Sequence, residues 1–311
     1  MKTAMAVTFF GIHLMRASSG FAQSDFLSDD YQIFGRKEPI SLGAVFSALG
    51  ASSILTNPAN AAFVSDNRLN FGRAVSGMGD GTFISWMAPN LSISSSAQDV
   101  LRDDQPGLRH EKRLLHFTFA LSSKDLGYGG EDSAVGVGLA IKRQADRLVE
   151  FGDETVAGGH SVSIDLGLLF KWRQLALEVV VVDLNTPKLS DSDLSYGRGF
   201  IVGGRVTTPA GLKIALQGIA GDGYAGSNFG LSFAAEQPFM DGRLIPRLQL
   251  TSFFAGSEAS MQNISASVAY RLAPKHRLVS FLKDLEISYA LSFLALPNNV
   301  GTHMVVVTKY F

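Results

Sequence analysis

Apolar and polar residues alternate along many segments of this chain. The clearest example covers residues 161–172, where one face collects Val162, Ile164, Leu166, Leu168, Phe170 and Trp172 and the other collects Ser161, Ser163, Asp165, Gly167 and Lys171. A period of two residues is that of a β-strand whose faces meet unlike environments. One face suits hydrocarbon, and the other tolerates water.

The same alternation returns in residues 263–271 and 285–293, and in residues 243–250 with Pro246 as an interruption. After Met15 the sequence has no apolar run near the roughly 18 residues that a membrane-spanning helix needs. We therefore predict an all-β fold, a transmembrane antiparallel β-barrel. A water-soluble β-sandwich, which also alternates, is the competing interpretation.

The number of strands follows from the spacing of these segments. Fourteen strands are predicted, near residues 67–76, 82–88, 90–96, 114–122, 133–143, 160–171, 174–184, 198–208, 211–220, 226–236, 242–255, 260–272, 282–296 and 300–311. A single span in residues 67–96 would give twelve instead. Tight turns are expected at Trp172-Arg173 and Pro209-Ala210, and longer loops at residues 97–113, 143–159 and 183–197.

The two ends of the chain indicate export to an outer membrane. Residues 1–22 have the charged, apolar and small-residue order of a signal peptide, so we divide the chain into this signal, an N-terminal segment with a hatch at 23–66, and a barrel at 67–311. A final strand that ends in Phe, here Phe311, is typical of the signal that the barrel-assembly machinery recognises. That signal usually has an apolar residue two positions before the Phe, and this chain has Lys309 there. Outer-membrane lipids would surround the barrel.

Composition excludes several other functions. The chain has no cysteine, so it has no thiolate metal site, and its histidines are not spaced as metal ligands. Its nearly balanced charge argues against nucleic acid as a partner. The Gly-x-Gly-x-x-Gly match at residues 221–226 precedes another strand rather than a helix, so it is read as a hairpin. Neighbouring His160 and Ser161 point to opposite strand faces, and we expect neither an enzyme nor a cofactor.

A segment before the first strand looks like two short helices. Asn57 is suited to cap the second helix, and Pro58 to its first position. Leu42-Gly43, Ala48-Leu49 and Asn57-Pro58-Ala59 together resemble the N-terminal hatch of FadL-type fatty-acid transporters and their PorV-type relatives. The resemblance implies a fourteen-stranded barrel with residues of about 36 to 66 folded inside the lumen. Candidate hatch and ligand-binding residues are Leu42, Phe46, Asn57, Pro58 and Ala59.

Ionisable residues inside the predicted strands should face the lumen, because a charge on the lipid side costs roughly 2 to 4 kcal/mol for Arg or Lys. They are Asp165, Glu178, Arg205, Lys213, Arg243, Arg247, Arg271 and Glu286. Two interpretations stay open: a polar conduit or ligand pocket, or opposite charges that cross-link the hatch and the wall.

The resemblance implies the binding or passage of a hydrophobic small molecule, long-chain fatty-acid-like, across the outer membrane. The hatch would shift around Asn57-Pro58-Ala59 to release it. The alternative is a scaffold or secretion shuttle that binds an exported protein through its loops, at residues 97–113 or 183–197. A general diffusion porin is a third possibility, which a hatch inside the pore disfavours.

Overall fold

The computed structural model describes residues 57–76, 79–101, 108–128, 130, 132–150, 155–186, 190, 198–223, 226–255, 258–272, 284–295 and 300–311. The strands are β1 (Arg68–Ser76), β2 (Gly79–Ala88), β3 (Leu91–Leu101), β4 (Leu108–Ser122), β5 (Ser133–Glu150), β6 (Thr155–Trp172), β7 (Leu175–Val182), β8 (Gly199–Thr207), β9 (Lys213–Gly223), β10 (Gly226–Glu236), β11 (Leu244–Ala255), β12 (Glu258–Arg271), β13 (Leu285–Ala295) and β14 (Val300–Tyr310). A 3-10 helix, Pro58–Phe63, precedes them.

The fourteen strands form one closed antiparallel barrel. Each strand pairs with its neighbours in sequence, and β14 closes the sheet on β1 with Arg68 opposite Tyr310. Closure leaves no strand edge unpaired along the seam, as a lipid environment requires. Among the described residues, no helix is long and apolar enough to cross a membrane.

The side chains separate by strand parity, as the alternating pattern predicts. On β5, Val135, Val137, Leu139 and Ile141 are exposed on the outer wall, whereas Ala134, Ala140, Lys142 and Gln144 are buried on the inner side. The same division runs along β6, where Phe170 and Trp172 are exposed and Ser163 and Asp165 are buried. An apolar outer wall around a polar interior is the architecture of outer-membrane barrels, and it excludes the soluble sandwich.

The prediction of fourteen strands is confirmed, and twelve is wrong. The tight turns at Trp172-Arg173 and Pro209-Ala210 are also confirmed, since β6 and β7 are two residues apart and β8 and β9 five. The two short spans at residues 82–88 and 90–96 are full strands with a turn at Asn90, whose φ is 67°.

The predicted loop at residues 143–159 is wrong. Strands β5 and β6 continue through most of it, to Glu150 and from Thr155, because alternation persists there with charged instead of apolar residues on the outer face. Strands β3 and β4 likewise extend into the predicted loop at residues 97–113, to Leu101 and from Leu108. By contrast, β7 ends at Val182 and β8 begins at Gly199, as expected for a long connection.

The two ends of the barrel differ. We call the end that holds Arg68 and Tyr310 the terminal rim, and the other end the opposite rim. Strands β5 and β6, each 18 residues long, rise beyond the 8-residue β7 at the opposite rim. Since a spanning strand needs about 9 to 11 residues, this hairpin extends past the hydrocarbon layer.

Candidate functional site inside the barrel

Residues 57–63, which we call the NPA segment, lie inside the barrel against the inner face of β4, β5 and β6. Asn57 caps the 3-10 helix by accepting a hydrogen bond from the backbone N–H of Ala59 at 3.0 Å, and Pro58 occupies the first helical turn. Asn57, Ala59 and Ala61 are almost completely buried. The cap and the proline position match the sequence prediction for this short helix.

The NPA segment rests on glycines of the barrel wall. An added Cβ on Gly138 would lie 2.2 Å from the carbonyl carbon of Pro58, and one on Gly167 would lie 2.2 Å from Oδ1 of Asn57. At Gly136 an added Cβ would lie 2.5 Å from the ring of Phe63. These distances are far below van der Waals contact, so the wall admits the segment only because these inner positions carry no side chain.

Polar contacts join the NPA segment to the wall. The side-chain amide of Asn57 donates to the backbone carbonyl of Leu168 at 3.2 Å and to Oε2 of Glu178 at 3.1 Å. The other oxygen of Glu178 accepts from the side-chain amide of Gln217 on β9. The carboxylate of Glu178 thereby connects Asn57 to strands β7 and β9, which lie more than a hundred residues later in the sequence.

Two further contacts hold the end of the segment. The ammonium of Lys171 lies 3.8 Å from the ring centroid of Phe63, a cation–π contact. The carbonyl of Ala61 accepts from the backbone N–H of Asn90 in the β2–β3 turn at 3.0 Å. The segment is therefore attached at the terminal rim, where that turn lies.

Apolar side chains accompany the polar contacts. Ala61 packs in a cluster with Met87 and Ala120, and Ala59 packs in a cluster with Leu169 and Ala176. A separate inner-wall cluster combines Ala74, Ala290, Met304 and Val306 with Phe83. The inner wall is thus not uniformly polar.

A buried charge cluster lies at the middle of β5 and β6. The ammonium of Lys142 is 2.7 Å from Oδ1 of Asp165 and 2.9 Å from Oδ1 of Asp183, and the backbone N–H of Asp183 donates to Asp165 at 2.8 Å. Asp183 has a φ of 54° and begins the long connection between β7 and β8. This cluster fixes the start of that connection to the inner wall. His116 of β4 is also buried on the inner side.

Two more charge clusters lie nearer the terminal rim. Glu236 is buried between Lys213 and Arg247, at 2.6 and 2.7 Å. Glu286 accepts from the hydroxyl of Tyr310 at 3.1 Å, and the guanidinium of Arg271 lies 4.3 Å from the centre of the Tyr310 ring. Both clusters join neighbouring wall strands to one another.

The structure brings part of the predicted site together. Asn57, Pro58 and Ala59 contact the wall, Glu178 contacts Asn57, and Asp165, Arg247 and Glu286 are buried on the inner side, where Arg271 also points. Arg243 is a correction: it is exposed in the turn before β11, because the strand begins only at Leu244. Leu42 and Phe46 lie outside the described residues.

Sequence reasoning missed Lys142, Asp183, Glu236 and the glycines under the NPA segment. Lys142 could have been found, because it continues the inner-facing positions Gly136, Gly138 and Ala140 of the same strand. The paired glycines could have been noticed as strand positions where another backbone approaches closely. Nothing in the sequence shows that Asp183, placed after its strand, turns back to Lys142.

No protein-family model matches the sequence, and none of the curated proteins matches it. Solved structures do share its fold. The toluene transporter TbuX of Ralstonia pickettii superposes with a TM-score of 0.57 at 10% identity, covering 85% of this chain and 94% of that one. A FadL homologue of Pseudomonas aeruginosa gives 0.54 at 9% identity, with 83% and 93% covered.

The toluene transporter TodX of Pseudomonas putida gives a TM-score of 0.54 at 9% identity, covering 84% of this chain and 94% of that one. At such low identity the likeness concerns the fold alone. The chain therefore has the barrel fold of FadL-type outer-membrane transporters.

Proposed function

We propose that this protein binds and passes a hydrophobic small molecule, of the long-chain fatty-acid-like class, across the outer membrane, and that the NPA segment is its gate. The observation that carries the proposal is the position of that segment. It lies within the lumen, on glycines that leave room for it, instead of contributing to the wall. A segment held in this way closes a path that the surrounding barrel would otherwise leave wider.

The contacts of the segment suit a gate. Its polar attachments include the Asn57 amide, the Ala61 carbonyl and the cation–π contact of Phe63. It also contacts small or flexible apolar side chains such as Ala120, Met87 and Leu169. Apolar ligand surface can replace such contacts at little cost, because they have no fixed direction.

The structural neighbours support an apolar substrate. Two of them are toluene transporters, and toluene is an apolar compound. In this proposal, movement of the NPA segment uncovers Leu169, which packs against Ala59 while the segment is in place. The charged clusters around Lys142 and Glu236 serve in this proposal to hold the wall strands together.

Uptake by cells tests the proposal. Cells that depend on this protein would be given a labelled long-chain fatty acid and, separately, a small polar solute. Deletion of residues 36–66 should change fatty-acid uptake and increase leakage of the polar solute. Unchanged uptake without added leakage would contradict a gating role, provided that the deleted protein still migrates as a folded barrel.

For the alternative function, a scaffold that binds an exported protein, less of the chain is available as a loop than the sequence predicted. Strands β3 and β4 occupy residues 97–101 and 108–113 of its first predicted binding loop. Purification without added partner distinguishes the two functions: co-purified lipid or fatty acid supports transport, and a stoichiometric exported protein supports the scaffold.

A further inference from the structure

Four buried polar side chains adjoin one another on the inner face of β3 and β4. We call Ser92, Ser94, His116 and Thr118 the β3–β4 polar group. Ser94 lies directly opposite His116 in the strand register, and Ser92 directly opposite Thr118. Side chains opposite each other have Cβ atoms about 4.5 to 5.5 Å apart, and successive positions on one face of a strand are about 7 Å apart. One small polar group of a ligand can therefore reach several of the four.

Two members of the polar group have hydrogen-bonding atoms that the protein does not use. In the described part of the chain, Nε2 of His116 and Oγ1 of Thr118 are buried without a hydrogen-bond partner. His116 is 1% exposed, and Thr118 is 0% exposed. A buried polar atom without a partner is unfavourable, because it has lost its hydrogen bonds to water and gained none in exchange. Two such atoms at successive inner positions of one strand indicate a site for a ligand.

The polar group borders the apolar surface on which the NPA segment rests. Met87 of β2 lies opposite Ser92 in the register, and Ala120 follows Thr118 on the inner face of β4, toward the terminal rim. Ala61 of the NPA segment packs in one cluster with Met87 and Ala120. The inner wall therefore has an apolar area under Ala61 and a hydrogen-bonding area directly beside it.

The nearest ammonium group is already engaged. Lys142 of β5 lies opposite His116, and its ammonium is 2.7 Å from Oδ1 of Asp165 and 2.9 Å from Oδ1 of Asp183. The atoms that can still bind a ligand belong to an imidazole and a hydroxyl, which pair well with a group that both donates and accepts. The site therefore suits an uncharged hydroxyl better than a carboxylate or a phosphate.

We infer that the β3–β4 polar group binds the hydroxyl of a hydroxylated long-chain ligand, at the place that the NPA segment uncovers when it moves. The apolar part of the ligand takes the position of Ala61 on Met87 and Ala120. The hydroxyl binds to His116 and Thr118. This inference rests on the function proposed above, and it narrows the ligand class to apolar molecules that carry a hydroxyl group.

Two ligands of matched size test the inference. 1-Dodecanol carries a hydroxyl, and tridecane has a methyl group in its place. Equilibrium binding of each radiolabelled ligand is measured on the full barrel in nanodiscs, and empty nanodiscs give the partition into lipid. Thr118→Val replaces the hydroxyl of Thr118 with a methyl group. It should weaken binding of 1-dodecanol about tenfold, as expected for one lost hydrogen bond, and leave binding of tridecane unchanged.

Stability separates a ligand-binding hydroxyl from a structural one. Without ligand, Thr118→Val should be at least as resistant to urea as the wild type, because it removes a buried hydroxyl that has no partner in the described part of the chain. A hydroxyl that served the fold would instead lower the resistance when removed. His116→Phe is a second variant that should weaken binding of 1-dodecanol.

Thr82→Val is the matched control. Thr82 lies on the outer face of β2, with the exposed Ile84 and Trp86, so the same exchange there should leave the binding of both ligands unchanged. Equal binding of 1-dodecanol by the wild type and by the Thr118 and His116 variants would overturn the hydroxyl site and leave the proposed apolar ligand standing. If the wild type bound neither ligand, the proposed function and this inference would both fail. Heat-dependent gel migration shows in each case that the barrel is folded.

Discussion

Gly138 of β5 and Gly167 of β6 are direct partners in the strand register, and Asn57 and Pro58 lie on the pair. Two adjacent strands thus lack a side chain at the same inner position. The gap they leave receives the cap and the proline of the NPA segment. The depth at which the segment sits in the lumen is consequently set by the wall.

Alanine at either glycine should displace the segment. At Gly138 the obstructing atoms are backbone atoms of Pro58 and Ala59, at 2.2 and 2.3 Å, which cannot turn aside as a flexible side chain can. We expect Gly138→Ala to cost about 1 to 3 kcal/mol of stability, as overpacking does. Faster hydrogen exchange of the amides in residues 59–63 would measure the displacement.

Gly218→Ala is the control for this prediction. Gly218 faces outward from β9, and an added Cβ would have its nearest neighbour at 3.9 Å, in ordinary contact. It should leave exchange in the NPA segment unchanged. Equal exchange in the Gly138→Ala and Gly218→Ala variants would show that the close approach is not what positions the segment.

The two roles of Asn57 can be separated by substitution. Asn57→Ala removes both the cap and the bond to Glu178, and loss of the cap alone costs about 0.5 to 2 kcal/mol. Asn57→Asp keeps an oxygen for the cap but places a second carboxylate against Glu178. Conductance in planar bilayers should therefore rise for both variants.

Glu178→Gln distinguishes these causes. In the Asn57→Asp background it removes the like-charge repulsion and should restore low conductance, whereas in the Asn57→Ala background it should have little effect. Restoration in both backgrounds, or in neither, would show that the Asn57–Glu178 contact does not hold the segment.

Lys142 should be essential to the stability of the wall. Its removal in Lys142→Met leaves Asp165 and Asp183 buried without their cation, and breaking a buried ion pair costs about 3 to 5 kcal/mol. Addition of Asp165→Asn and Asp183→Asn should recover much of this loss. The free energy of unfolding in urea, measured in lipid vesicles, compares the variants. A single variant as stable as the wild type would contradict the importance of the cluster.

More of the fold than of the candidate site could be predicted from the sequence. Period-two alternation identifies strands such as β6 because lipid demands an apolar residue at every second position. It fails where the strand leaves the membrane: beyond Arg143 the outer face becomes charged, and a continuing strand looks like a loop.

The candidate site depends on contacts between residues distant in sequence. The cap of Asn57 is local and could be predicted, but its bond to Glu178 spans 121 positions and depends on barrel closure. Arg243 was misplaced because a strand boundary cannot be read to within one residue. Alternation along a strand predicts whether a side chain faces the lumen or the lipid. Its contact partner is known only once the barrel has been assembled.

Acid should weaken the β4–β5 connection through Asp125. The backbone N–H and the hydroxyl of Ser122 donate to this carboxylate, both at 2.7 Å, and hold its pKa below the ordinary value of 3.8. Its stabilising effect is therefore present at neutral pH and is lost as the pH falls below the unfolded value toward the folded one.

The non-titrating Asp125→Asn variant isolates this contribution. The stability difference between wild type and variant should be constant above about pH 5 and should shrink below about pH 4, because the two hydrogen bonds from Ser122 are the main cause of the lowered pKa of Asp125. Urea unfolding at several pH values measures it. A difference that grows on acidification would have the wrong sign for this account.

Movement of the NPA segment is best tested by a reversible cross-link, which the absence of cysteine from the chain makes clean. Ala61→Cys and Ala120→Cys place thiols on the segment and on the wall, within one packed cluster. Ala215→Cys and Ala234→Cys, opposite each other on β9 and β10, form a control pair that joins wall to wall. A short bifunctional thiol reagent with a reducible linker would join each pair.

Uptake of labelled fatty acid by cells carrying the fully cross-linked proteins is the decisive measurement. We predict that the 61–120 link abolishes uptake, that reduction restores it, and that the 215–234 link has no effect. Undiminished uptake through a barrel whose NPA segment is fully joined to the wall would contradict the central claim that this segment must move.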